Sequence, residues 1–159
     1  MNNVLIVYYS YTGNTRIVAN KIQKALNGAD ILEITMENPY STDYDTTERQ
    51  SRKEIQEGFR PLITTKCENL DEYNYVIIAT PNWFNTMAPC VATFLESYNW
   101  AGKKILPVCT NGGGGIGHVV SDIKKLCSGA EIKETLVLYN DGGAGVENKI
   151  SAWLHNNLD

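Results

Sequence analysis

An α/β fold, a doubly wound parallel five-stranded sheet with helices on both faces, is what this sequence predicts, and three observations predict it. Five short apolar, β-branched runs recur along the chain, apolar residues between them adopt helical spacing, and most of the joining loops are short. Parallel neighbours joined through helices require right-handed crossovers. The 159 residues suit one domain, 1–159, large enough to bury roughly two-thirds of its unfolded surface. An apolar share of 43% with 20% charged residues is that of a globular chain, not a disordered one.

Each element has its own justification. Asn3–Tyr9 is a continuous apolar run, a buried first strand. Asn14–Asn27 puts Val18, Ile22, Ala25 and Leu26 on one helical face, and Gly28 closes it as a C-cap. Asp30–Met36 alternates Leu32, Ile34 and Met36 with Glu33 and Thr35, a second strand. Tyr75–Thr80 is a third, apolar throughout and therefore buried on both faces. Thr86 caps a helix carrying Val91, Phe94, Leu95 and Tyr98, with Pro89 tolerated in the first turn. Ile105–Thr110 is the fourth strand, followed by a helix over Gly117–Cys127 with Val119, Ile123 and Leu126 inward. Ile132–Tyr139 is the fifth, and Val146, Ile150, Trp153 and Leu154 form the buried stripe of a last helix. Only Glu37–Leu70 breaks the rhythm. Within it Asp45–Phe59 is helical, with Glu48 four residues before Arg52 and with Ile55 and Phe59 as its main apolar anchors. The segment reads either as a solvated excursion or as a cover over a ligand site, since long connections in compact domains are often functional.

Charge and cysteine usage narrow the function. Fourteen Lys and Arg against 18 Asp and Glu give a net charge of −4, which argues against a protein held to nucleic acid by a basic face. Val4–Tyr9 is too short for a signal-peptide core and has no Lys or Arg before it. Tyr73–Leu95 is uncharged and long enough to cross a bilayer, but Pro81, Pro89 and three Asn divide it into strand, loop and helix. The expectation is a cytoplasmic protein with no membrane and no nucleic-acid partner. Cys67, Cys90, Cys109 and Cys127 are widely spaced and accompanied by only two His, so neither a metal site nor a redox pair is expected. Cys109 and Cys127 read as small core residues in a reducing compartment.

Ligands of an open parallel sheet bind beyond the carboxyl ends of its strands, where the strand order switches. The segments after the first, third and fourth strands are all unusual. Ser10-Tyr11-Thr12-Gly13-Asn14-Thr15 offers hydroxyls and backbone N–H groups at a helix N-terminus, a neutral cradle for phosphate. An ordinary N-cap loop would need fewer such residues. A phosphatase of this architecture needs a Cys here, and none is present; Tyr9, Ser10 and Thr80 stand where a phosphorylated receiver domain needs acidic groups. Thr80–Thr86 (TPNWFNT) places Trp83 and Phe84 in a loop. Their apolar area is costly unless a flat heteroaromatic ring stacks on them, or unless they fold back beneath the long excursion. Thr110–Gly117 (TNGGGGIG) supplies glycines for close backbone approach or for positive φ. Gly112, Gly114 and Gly117 match G-x-G-x-x-G, a match that so many glycines make nearly automatic, and His118 stands where a Walker loop needs Lys. His118 reads as a solvent-facing turn residue, a proton donor only if it faces a bound ring.

Together, VLIVYYSYTGNT at Val4–Thr15, TPNWFNT and TNGGGGIG resemble the flavodoxin-like FMN-binding family, most closely its short-chain bacterial members, from residue 2 to about 157. The resemblance implies the strand order 2-1-3-4-5 and FMN as cofactor. It implies that Ser10, Tyr11, Thr12, Gly13, Asn14 and Thr15 hold the phosphate. Thr80, Pro81, Asn82, Trp83 and Phe84 fall on one side of the isoalloxazine ring, and Thr110, Asn111, Gly112, Gly113 and Gly117 on the other. Asn111 stands where relatives often carry His, and Phe84 where they often carry a second Trp. No metal ligand and no catalytic side chain is implied.

Two functions follow from a bound flavin, which brings the redox chemistry while the protein brings binding, orientation and electrostatics. One is an electron carrier that docks its flavin edge onto redox partner proteins, steered by an acidic rim. The other is an FMN-dependent enzyme that accepts hydride from NAD(P)H and reduces quinone-like acceptors. It needs space over one flavin face, and Tyr40–Arg60 suits a lid, with Tyr40 and Tyr44 near the ring. Binding of some other phosphorylated aromatic ligand, without redox chemistry, is a third reading. Oligomeric state is not legible.

Overall fold

The computed structural model describes residues 3–159, so the first two residues of the expected domain lie outside the described ones. Its strands are β1 (Val4–Tyr8), β2 (Asp30–Glu33), β3 (Tyr75–Trp83), β4 (Thr86–Met87), β5 (Lys104–Asn111), β6 (Glu131–Ile132) and β7 (Leu136–Tyr139). The helices are α1 (Asn14–Ala25), α2 (Tyr44–Glu57), α3 (Pro89–Glu96), α4 (Val119–Leu126) and α5 (Val146–Asn157). The sheet runs β2-β1-β3-β5-β6, with β7 also on β5, and these pairs are all parallel. Counting β6 and β7 as halves of one strand, the order is the expected 2-1-3-4-5.

Alternation along the strands divides the core into two. Val4, Ile6 and Tyr8 of β1 pack with Val18 and Ile22 of α1 and with Ile150 and Trp153 of α5. Leu5 and Val7 point the other way, toward Val91 and Phe94 of α3 and Val119 and Ile123 of α4. Ile6, Ile77 and Leu106 have no exposed surface. Burying a side chain of this kind contributes about 1.5–3 kcal/mol, which is why continuous apolar runs settle in the middle of the sheet.

Several boundaries differ from the sequence expectation, each for a local reason. The first helix closes with Asn27 at φ 56 and Gly28 after it; Asn27 N–H donates to Lys24 O and Gly28 N–H to Gln23 O, a Schellman arrangement. Asn27 and Gly28, the latter at φ 91, therefore share the left-handed exit expected of Gly28 alone. The second strand ends at Glu33, because Met36 leaves the sheet to bridge Ile63 in antiparallel fashion. The third runs on through Pro81 to Trp83 and turns back into β4, pairing Asn82 with Met87 and Trp83 with Thr86. Phe84 and Asn85 form the two-residue turn at φ 52 and 70, the left-handed pair that a tight hairpin requires. Thr86 is therefore a strand residue rather than a helix cap; α3 starts from Ala88, with Pro89 in its first turn.

The fifth strand is interrupted. Lys104 pairs with Glu131 and Ile105 with Ile132, but Val108 pairs with Leu136. Lys133–Thr135 thus spend three residues where the partner strand has two, Leu106 and Pro107. Ile105 O accepts from Lys133 N–H, so by alternation residue 107 turns its nitrogen toward the same neighbour. Proline has no N–H to offer there, and the strand breaks opposite it. Helix α5 satisfies the displaced backbone: Trp153 Nε1 donates to Glu134 O at 2.7 Å and Glu134 N–H donates to Asn157 Oδ1 at 3.2 Å.

Candidate functional site

The loop after β1 folds around its own hydroxyls. Buried Ser10 accepts from Gly13 N–H at 3.1 Å, which fixes the turn into α1. Gly13 sits at the N-cap with φ 103, and no side chain caps the helix behind it. The first-turn N–H groups of α1 are therefore available where the helix dipole is positive. Thr12, Asn14 and Thr15 line the cleft in front of them, and Thr15 Oγ1 lies 2.8 Å from Thr110 Oγ1, tying this loop to the end of β5. Arg16 turns away and pairs with Glu33 at 2.5 Å, so the cradle carries no formal charge of its own.

The other two loops are clamped together. His118 N–H donates to Asn85 O at 2.6 Å, Asn82 Nδ2 donates to Gly115 O at 2.8 Å, and Thr86 Oγ1 donates to Asp122 Oδ2 at 2.6 Å. Gly117, at φ 52, lies so close to the hairpin that a Cβ would sit 2.7 Å from Asn85 Cα. Asn111 organises the glycine run: its Oδ1 accepts from Gly113 N–H at 3.0 Å and Gly115 N–H at 3.1 Å, while its Nδ2 donates to Leu138 O at 3.0 Å. The Asn111 amide thus donates and accepts at once.

Helix α2 closes the remaining side. Its buried face is polar, formed by Thr47, Ser51 and Glu54, rather than by the expected Ile55 and Phe59; Ile55 is half-buried and Phe59 is 52% exposed. Tyr11 locks the helix in place, its hydroxyl donating to Ser41 O at 2.6 Å and lying 3.1 Å from Thr47 Oγ1, which donates to the same carbonyl at 2.8 Å. Farther along, Glu48 pairs with Arg52 at 3.0 Å, and the Arg52 guanidinium lies 4.9 Å from the centre of the Phe84 ring. The long excursion is thus neither a bare solvated loop nor a detached flap, but a wall of the site.

The result is a cleft of about 320 Å³. Of the residues singled out from the sequence, Tyr11, Thr12, Asn14, Thr15, Pro81, Asn82, Trp83, Phe84, Thr110, Asn111 and Gly112 line it. Ser10, Gly13, Thr80, Gly113 and Gly117 are not among the residues that line it. Thr80, fully buried, accepts from Ala88 N–H at 3.1 Å and so anchors the return of the hairpin. Tyr44 lines the cleft, whereas Tyr40 is buried beneath Trp83. Sequence reasoning missed Thr47, Glu48, Ser51 and Asn140 as wall residues. Asn140 carried a usable signal, since it follows the fifth strand directly, at the end of the sheet where ligands bind.

Trp83 stands in an aromatic box. Tyr9, Tyr11 and Tyr40 approach it edge-on, with ring centres 5.7, 5.9 and 5.3 Å away. Burial pushes the Tyr9 phenol well above its ordinary range, and burial together with a hydrogen bond to Glu54 does the same to Tyr40. The site fits a phosphorylated heteroaromatic molecule. It has uncapped N–H groups and hydroxyls at one end and an indole and a phenyl ring at the other. Asn82 Oδ1 is a buried acceptor without a partner among the described residues, suited to an N–H donor. Among the described residues there is no cluster of His, Cys, Asp and Glu able to hold a metal ion, and no helix is long and apolar enough to cross a membrane.

Comparison with known proteins agrees with this fold. A family model described as Flavodoxin matches residues 3–157. A protein of Bacteroides eggerthii assigned as a flavoprotein superposes with a TM-score of 0.87 at 30% identity, over 100% of this chain and 99% of its own. One of Bacteroides uniformis, likewise assigned, gives 0.84 at 25% identity, over 97% and 98%. A Lactobacillus acidophilus flavoprotein solved in complex with FMN gives 0.75 at 21% identity, over 96% and 99%, a likeness of fold.

Proposed function

Since the chain belongs to the flavodoxin family, we propose that it is an electron-transfer protein working through bound FMN. The observation that carries this reading is the meeting of a neutral phosphate cradle and an aromatic box in one cleft. Thr12, Asn14 and Thr15 with the first-turn N–H groups of α1 hold the phosphate, Trp83 and Phe84 offer faces for the ring, and Asn82 addresses its polar edge. When bound, FMN supplies one- and two-electron redox chemistry. The chain's own part is to bind and orient it, to exclude water at the buried loop ends, and to leave one edge accessible beside Phe84, which is 39% exposed.

A carrier reading has the ring meet redox partner proteins at that edge. The rim is of mixed charge, with Glu48 beside Arg52, so docking there depends less on long-range steering than an acidic collar would. A specific observation favours a second reading, an NAD(P)H oxidoreductase acting on quinone-like acceptors. Phe84 also walls a second cavity, of about 380 Å³, floored by Ile55, Met87 and Leu126 and edged by His118 and Arg60. Four free buried cysteines accord with a reducing cytoplasm, and net charge −4 accords with the absence of a nucleic-acid partner.

Anaerobic stopped-flow mixing of the FMN-loaded protein with NADH and with NADPH separates the readings. Rapid flavin bleaching by either assigns a hydride site and turns attention to acceptors. No bleaching by either, with ready reduction by a flavodoxin reductase, assigns a carrier. Failure to load FMN overturns both.

A further inference from the structure

One group near the cleft has no part in binding a flavin. Glu54 is a carboxylate buried on the inner face of α2, where an apolar residue would cost less. It accepts from Tyr40 OH at 2.6 Å and from Gln50 Nε2 at 3.1 Å. Tyr40 is itself buried and meets the Trp83 ring at 5.3 Å, and Trp83 lines the cleft. Tryptophan, tyrosine and carboxylate thus form a continuous line from the cleft into the protein.

A phenol gives up an electron readily only if its proton has somewhere to go, because the oxidised phenol is a strong acid and its charge is costly to bury. Proton transfer needs an acceptor base within hydrogen-bond reach. Of the three tyrosines around Trp83, Tyr40 is the one whose hydroxyl donates to a carboxylate among the described residues; Tyr11 donates to the Ser41 carbonyl, which is no base. In the resting protein the proton stays on Tyr40, whose phenol burial holds well above its ordinary range.

We infer that Tyr40 and Glu54 are a radical-discharge unit for Trp83. A one-electron oxidant reaching the cleft, either an oxidising radical or a light-excited oxidised flavin, removes one electron from Trp83. Tyr40 returns one electron to the indole and, in the same step, passes its phenolic proton to Glu54. The O–H bond of Tyr40 breaks and an O–H bond on Glu54 forms. The products are an intact Trp83, a neutral tyrosyl radical at position 40 and a protonated Glu54, with the extra electron on the oxidant. Function follows from position: an oxidised indole on the cleft wall is repaired before it reacts with what the cleft holds. Trp100 lacks such a unit among the described residues. Trp100 has Tyr98 at 6.3 Å, but that hydroxyl accepts from Cys67 N–H, and no carboxylate joins it among the described residues.

The test needs no flavin, so failure to bind FMN leaves it intact. Azide radicals generated by pulse radiolysis oxidise the cofactor-free protein while tryptophanyl and tyrosyl absorbances are followed. In the wild type, part of the tyrosyl signal should grow as the tryptophanyl signal decays, more slowly in D2O. Tyr40→Phe keeps the ring beside Trp83 and should abolish that growth, leaving only the prompt signal of exposed residues such as Tyr44 and Tyr139, each 63% exposed. Trp83→Phe should abolish it as well. Glu54→Gln is the decisive variant, because an amide oxygen still accepts the hydrogen bond but is no base. Growth should slow by about tenfold or more, a barrier raised by about 1.4 kcal/mol. Growth at the wild-type rate in Tyr40→Phe or in Glu54→Gln overturns the inference.

Discussion

At the scale of single residues, the site separates groups that face a ligand from groups that hold them in place, and substitutions should respect the division. Trp83→Ala removes a stacking face, worth about 1–3 kcal/mol by analogy with base–aromatic stacking, so FMN affinity should fall by roughly tenfold or more in a fluorescence titration. Thr12→Ala removes one hydroxyl from the cradle and should weaken FMN by a comparable factor, since hydrogen bonds to charged groups contribute about 1.5–3 kcal/mol. Affinity unchanged in both would sink the assignment of the cleft. Gly117→Ala belongs to the other class. Its methyl meets backbone at 2.7 Å, and its φ of 52 suits glycine, so the clamp between hairpin and glycine loop must open. The expected loss is about 1–3 kcal/mol in urea denaturation, with FMN binding weakened only as a consequence. Among the site residues, the hydroxyl-rich loop was legible because its chemistry is local, set by residues adjacent in sequence. The role of Gly117 was not, because what constrains it is Asn85, more than thirty residues away.

At the scale of elements, the strands could be read and α2 could be read only in part. Continuous apolar runs such as Val76–Ala79 have no alternative to burial, whereas hydrophobic periodicity cannot find a helix whose inner face is Thr47, Ser51 and Glu54. The hairpin was hidden for a related reason: Phe84-Asn85 is not a sequence that announces a tight left-handed turn, and only strand pairing imposes it. With so little apolar surface beneath it, α2 depends on its ends. Asp43 caps it by accepting from Thr46 N–H at 3.0 Å, and hydrogen bonds from the Thr46 side chain and backbone hold the Asp43 carboxyl below its usual range. A carboxyl depressed in the folded state stabilises above its unfolded pKa, and that contribution is lost as pH falls through the folded value. Amide exchange in the first turn of α2 should therefore accelerate in Asp43→Ala at neutral pH, and in the wild type only once pH drops below about 4. Equal exchange in variant and wild type at neutral pH would mean that the cap does not hold the wall. At the opposite edge, Asn157→Ala should cost about 1–3 kcal/mol in urea denaturation, because Glu134 N–H loses its acceptor at the strand break.

At the scale of the whole molecule, the two cores and the loop cluster share a set of buried acids that the fold keeps neutral. All four cysteines are free and buried. Burial pushes the Cys109 thiol up to about 11 and Cys127 up to about 12, and pushes Cys90 and the phenols of Tyr9 and Tyr40 higher still. An unfolded thiol ionises near pH 8.5 and an unfolded phenol near pH 10, approximately. Between those values and the folded ones the unfolded chain binds fewer protons than the native protein, so stability must fall as pH rises; below about pH 8.5 these groups contribute no slope. The urea midpoint should therefore begin to fall above about pH 8.5 and fall more steeply above about pH 10, with the transition remaining cooperative. Thiol labelling gives an independent check. Cys90 and Cys127 lie within the α3 and α4 core, and should react with a disulfide reagent only along the unfolding transition. Cys109 lies under the glycine loop, its Sγ 3.7 Å from Gly115 O, so opening of that loop exposes it without global unfolding. Its labelling should be faster than that of the other two in the free protein and should slow when FMN is added. Labelling of Cys109 unaffected by FMN would place the bound ligand away from the glycine loop.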